Sequence, residues 1–287
     1  MDFINHRLKR IDIFQRAHPI FGFPYAVVKK YGEDQGGYQA VLLTYYGFLS
    51  LFPLLLVLTT LAQWLLRGDS HLRTRVITGA TTYFPIVGSQ LQHNVHGFSR
   101  TGLPLIIGLL VLIYGLRGIG DAFRHTVNHV WRVPHAERSG FFPAIARSFS
   151  IVFFGGLGFL GSAIIASYAT TAGHNYGLRA SFITFSALVL FVSFIFVIKT
   201  ALNKQVGFHQ IWVGAAVATI GLIVLLSLGG YIITHELKNL DNLYGTFAVV
   251  LGLLFWLYLQ IRLVVYAIEI DSVRILRLWP RSFRDHA

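Results

Sequence analysis

The chain has 287 residues, of which 54% are hydrophobic and 13% charged, with 24 Lys+Arg against 12 Asp+Glu and no cysteine. Soluble globular domains carry about 25% charged residues, so this chain cannot cover a water-facing surface. Its apolar content also excludes intrinsic disorder. The lack of cysteine excludes disulfide frameworks, thiolate metal sites, iron–sulfur clusters and cysteine nucleophiles. What remains is a multi-spanning membrane protein, in which a net charge of +12 is first a topology signal.

In residues 1–38, Ile4, Leu8, Ile11 and Phe14 recur at helical spacing beside Arg7, Lys9, Arg10 and Arg16. This predicts an amphipathic cytoplasmic segment, either lying on the bilayer or packed on the rest of the protein. Asp2, Asp12, Glu33 and Asp34 interrupt it, and no compact apolar h-region marks a cleavable signal peptide. Six stretches free of Asp, Glu, Lys and Arg follow. They lie between Asp34 and Arg67, Arg100 and Arg117, Arg147 and Arg179, Arg179 and Lys199, Lys204 and Glu236, and Asp241 and Arg262. A span needs about 20 apolar residues. The second stretch, Thr101 to Leu116, has only 16 and must extend past Arg117. The sequence therefore predicts an all-α integral membrane protein: a bundle of six transmembrane helices over 39–270, then a basic cytoplasmic tail over 271–287.

The Lys/Arg distribution orients the bundle. The N-terminal segment, the 2–3 loop, the 4–5 loop and the tail together hold 17 of the 24 basic residues, against 6 on the opposite side, with Arg262 inside span six. The positive-inside rule then puts both termini in the cytoplasm. The basic face is expected to attract anionic lipid headgroups.

The run Tyr38-Gln39-Ala40-Val41-Leu42-Leu43-Thr44-Tyr45-Tyr46-Gly47-Phe48-Leu49-Ser50-Leu51-Phe52-Pro53 resembles the first-helix signature of the YihY/BrkB family of bacterial inner-membrane proteins. Tyr244-Gly245-Thr246-Phe247, Leu254-Phe255-Trp256-Leu257-Tyr258, Glu269 and Leu278-Trp279-Pro280-Arg281-Ser282 look like that family's last helix and tail. Asn128 and Trp131 fit its pattern too. Tyr266-Ala267-Ile268-Glu269 departs from the family's usual Gly-Ala-Glu but keeps the acid. The resemblance covers roughly residues 30 to 283. It implies a six-helix membrane fold and a cell-envelope association. It implies no settled activity; the old label ribonuclease BN is generally regarded as a misassignment, and transport has been suggested.

Five features are candidate sites. Pro53, mid-helix in span one, cannot donate to the Leu49 carbonyl. The resulting kink is either a hinge or cavity wall, or a fixed bend that aids packing. Gly156, Gly158 and Gly161 form GxGxxG, but no strand precedes them and no acid follows about 20 residues on, which excludes dinucleotide binding. Gly158, Ser162 and Ala166 instead make a small-residue stripe that lets helices approach closely in lipid. Arg262 is costly at membrane depth, and Tyr258, Arg262 and Glu269 share one face of span six. This polar stripe reads as a substrate or ion contact, or as a structural Arg262–Glu269 pair. Arg117 and Asp121, spaced i, i+4, are expected to pair at the inner interface. His125, His129 and His135 lack the glutamate of a zincin motif, so no metal and no cofactor is expected.

There is no nucleophile elbow, P-loop or acid cluster spaced for two metals. The sequence reading is a multi-pass bacterial inner-membrane protein that transports or translocates an anionic or amphipathic envelope-related substrate. A non-transporting envelope-integrity or scaffold protein is the main alternative, and a membrane-associated ribonuclease the remote one. Expected partners are membrane lipids and a small-molecule or lipid substrate, with no nucleic acid.

Overall fold

In hydrocarbon a chain satisfies its backbone N–H and C=O groups within its own helices or a closed barrel, and these apolar runs become helices. The computed structural model describes residues 19–65, 103–171, 175–235 and 246–279, with side chains described for 22–51, 106–169, 175–229 and 250–279. Its helices are α1 (Pro19–Glu33), α2 (Gly36–Leu65), α3 (Leu103–Val130), α4 (Phe141–Thr171), α5 (Tyr176–Ala201), α6 (Phe208–His235) and α7 (Thr246–Ile275), with a 3-10 turn at His135–Glu137. No strand occurs among the described residues. The amphipathic pattern at Ile4 to Phe14 lies outside them.

Among the described residues, five helices, α3 to α7, are long and apolar enough to cross a membrane. The remaining expected span corresponds to α2, a 30-residue helix whose side chains are described as far as Leu51. Helix α2 runs through Pro53, whose side chain is outside the described set. Two helices overrun the boundaries read from charge. Helix α3 continues through Arg117, Asp121 and Arg124, and α7 carries Asp271 and Arg274 within its last turns. A helix ends where its hydrogen bonds are capped, not where hydrocarbon ends.

One end of the bundle gathers four basic segments. The α3 end meets α1 and α7 at the Val130 carbonyl, which accepts from Lys30 Nζ at 2.9 Å and from Ser272 Oγ at 2.8 Å. Asn128 joins α3 to α5: its Nδ2 donates to Ala201 O at 2.8 Å, and its Oδ1 accepts from Asn203 N–H at 2.9 Å. Asn203 Nδ2 then donates to Ser139 Oγ at 2.7 Å, tying the 4–5 loop to the 2–3 loop. Helices α3 and α7 both end with a residue in the left-handed region, Arg132 (φ 55°) and Arg277 (φ 52°). The next N–H reaches back five residues in each, Val133 to Asn128 O and Leu278 to Val273 O. This capping satisfies carbonyls that the helix leaves open.

Close packing uses small residues. A Cβ on Gly158 of α4 would overlap Ser193 of α5. Ser193 Oγ donates across the same seam to Phe154 O at 3.1 Å. Ser162 is buried on that helix, and Ala166 is half-buried. A Cβ on Gly214 of α6 would meet Ala267 O and Asp271 of α7.

Candidate functional site

Gly47 of α2 and Gly155 and Gly156 of α4, which carry no side chain, stand among bulkier neighbours inside the bundle. A cavity of about 320 Å³ lies there, walled by α2, α3, α4, α5, α6 and α7. Its surface is almost wholly apolar, from residues such as Leu116, Ile119, Phe159, Leu222 and Ile261, with Ser50, Ser193 and Gln260 as the polar members. Both hydroxyls are committed, Ser50 Oγ to Tyr46 O at 2.7 Å and Ser193 Oγ to Phe154 O. Gln260 is 8% exposed, and its Nε2 has no hydrogen-bond partner. An unsatisfied buried donor costs about 1–3 kcal/mol, so this amide is a standing demand for an acceptor.

A second polar site closes the basic end. Lys30 and Glu269 are both fully buried. The Lys30 ammonium has three N–H donors and three acceptors: Asp34, Glu269 Oε2 at 2.7 Å and the Val130 carbonyl. Glu269 Oε1 has no partner.

Arg262 is placed differently from its sequence reading. The Arg262–Glu269 ion pair does not form; Glu269 belongs to Lys30. Seven helical residues separate the two by about 10 Å along the axis, and α1 brings Lys30 to the acid first. Arg262 is exposed and stands 5.8 Å from the ring centres of Tyr31, Tyr258 and Tyr266. Tyr31 and Tyr266 stack at 4.0 Å. Burial pushes the Tyr31 phenol up to about 12, so it remains an O–H donor. Of the stripe, Tyr258 and Arg262 come together while Glu269 faces the Lys30 cluster. None of the three lines the cavity.

Asp121 joins α3 to α4. Its Oδ1 accepts from Ser148 Oγ at 2.8 Å and from Arg124 at 3.2 Å, and Arg117 Nε lies 3.7 Å from Oδ2. The His125 ring centre is 6.2 Å from that of His129 and 6.5 Å from that of His135. No group of three metal-ligand side chains occurs among the described residues.

Sequence reasoning missed two residues. Gln260 carried a visible signal, as the lone amide in an apolar run. Lys30 carried none beyond its charge, because its partner is 239 positions away.

Comparison with known proteins finds several relatives. The chain is 25% identical over 280 residues to a UPF0761 membrane protein of Psychrobacter sp. (strain PRwf-1), covering 92% of this chain and 50% of that protein. It is 24% identical over 256 residues to a UPF0761 membrane protein of Chromohalobacter salexigens, covering 86% and 61%. It is 24% identical over 262 residues to YfkH of Bacillus subtilis (strain 168), named ribonuclease-like, covering 85% and 92%. The chain thus spans about half the length of the Psychrobacter relative and about three-fifths of the Chromohalobacter one. No solved structure matches. The match to the Virulence factor BrkB family runs over residues 27–279, and the chain belongs to that family of multi-pass membrane proteins.

Proposed function

We propose that the protein translocates an amphipathic, envelope-related substrate, sheltering its apolar part in the cavity between α2 and α7. The reading places it in the bacterial inner membrane with both ends cytoplasmic, as a carrier and not an enzyme. One observation carries it: a cavity of about 320 Å³ with apolar walls, whose lining includes Gln260 with its unpartnered amide. Ligand sites commonly combine an apolar lining with a few polar groups that fix orientation. An apolar chain fills such a space, and a carbonyl or ether oxygen beside it meets the amide.

The test is movement of a panel of fluorescent lipids and anionic amphiphiles in proteoliposomes. Wild type is compared with Gly47→Ile, which fills the cavity, and Gln260→Leu, which removes the donor. Folding is checked in parallel by gel filtration. Reduced flux in both folded variants supports the reading. Full flux in a folded Gly47→Ile variant, or no movement of any probe by wild type, sinks it. Reporter fusions at Gly88 and Arg281 should report outside and inside respectively. The scaffold reading draws on the Lys30 cluster, whose closed pairing needs no substrate.

A further inference from the structure

Arg262 points away from the cavity. Leu251, Phe255 and Arg262 fall within about 40° on the α7 helical wheel, and all three are exposed. That face of α7 is left uncovered by the rest of the protein. Ser272 meets the end of α3 at Val130. Arg262 lies ten residues inward from Ser272, about 15 Å, and Asp121 nine residues inward from Val130, about 14 Å. Two separate helices thus carry charge at one level, Arg117, Asp121 and Arg124 on α3 and Arg262 on α7. A headgroup boundary at that level would keep all four charged side chains out of hydrocarbon.

At this level Arg262 has no carboxylate partner among the described residues. Its surroundings are three tyrosines, of which Tyr266 and Tyr31 offer it their phenol oxygens, and the buried Tyr31 O–H donates to no protein acceptor. Tyr31 itself is only 7% exposed. A guanidinium fork matches two phosphate oxygens, and the buried Tyr31 phenol behind Arg262 holds that fork in place. Toward the membrane interior the same face continues as Phe255, 61% exposed, and Leu251, 50% exposed. A headgroup at Arg262 therefore has its acyl chains laid along an apolar strip.

We propose that Arg262, with Tyr31, Tyr258 and Tyr266, is a binding site for the phosphate of an anionic membrane phospholipid at the α1–α7 face. The apolar strip selects a lipid over free phosphate. The site faces away from the cavity, so it stands whether or not the protein transports anything.

The experiment is native mass spectrometry of the full chain in detergent. The probes are dioleoylphosphatidylglycerol, dioleoylphosphatidylcholine and inorganic phosphate. Wild type should favour phosphatidylglycerol, with Arg262 contributing about fivefold, the preference that one basic residue near the surface gives. Arg262→Gln should lower the ratio by about that factor, and Tyr31→Phe should lower it while leaving the melting temperature unchanged. If Arg262→Gln does not fold, Arg262→Lys and Tyr31→Phe carry the test, and both must lower the ratio. A full ratio in folded Arg262→Gln, or in either fallback variant, overturns the site. Displacement of phosphatidylglycerol by inorganic phosphate overturns the lipid assignment.

Discussion

The α6–α7 seam and the junction of α1, α3 and α7 hold the same helix by opposite means. Along the seam, Gly214, Gly221 and Gly229 face Ala267 with Asp271, Leu263 and Trp256, and a Cβ on any of them would overlap its neighbour. Atoms have been removed so that backbones can touch, the usual device where lipid is as apolar as leucine. At the junction, charge has been added. Lys30 is sealed from solvent, and its three protons meet two carboxylates and a helix-end carbonyl. The seam tolerates no extra volume, whereas the junction tolerates no missing partner.

The junction breaks most easily. Lys30→Met leaves Asp34 and Glu269 buried without their cation, and breaking a buried pair costs about 3–5 kcal/mol. The expected result is a large fall in the unfolding midpoint in detergent. Adding Glu269→Gln to Lys30→Met should recover part of it, because the cost is stranded charge. A double variant no better than the single one would assign the loss to packing.

At the seam, Gly214→Val should cost about 1–3 kcal/mol or more, the usual range for overpacking. The obstructing atom is a backbone carbonyl, which cannot swing aside. Gly158→Leu should cost a similar amount through Ser193, and Ser193→Gly should return part of it. Gly156, whose Cβ would meet nothing within 4 Å, is the control. Gly156→Ala should stay within about 0.5 kcal/mol. Folded yield by gel filtration and thermal melting reads all four.

These contrasts show what sequence can carry. Small residues four apart on an apolar helix name their own face, so the Gly158 stripe was legible without a partner being known. Five of the six expected spans were legible because hydrocarbon sets a minimum length. The Arg262–Glu269 pair was misread because both residues share a face of one helix, and nothing local says that α1 will deliver Lys30 to the acid. Gln260 stood in plain view, but an amide becomes informative only when its surroundings are known to lack an acceptor. Asn128 is similar: its bonds to the α5 end and the 4–5 loop exist only once α3 and α5 end at one level.

The smallest expected effect sharpens the comparison at its edge. Asp121 gathers Arg117, Arg124 and Ser148, as Lys30 gathers its partners, yet the side chains of Arg117 and Asp121 are 45% and 37% exposed. Exposed ion pairs are typically worth about 0–1 kcal/mol. Asp121→Asn removes the charge but keeps an oxygen for Ser148 Oγ. It should therefore cost under about 1 kcal/mol, and the loss should shrink as salt is raised. Unfolding midpoints of both proteins at low and high salt give the measurement. A salt-independent loss as large as that of Lys30→Met would mean that Asp121 is shielded by hydrocarbon rather than bathed by headgroups and water. The boundary on α3 would then lie nearer Val130, and the level shared by Asp121 and Arg262 would be an intramembrane polar layer instead of an interface.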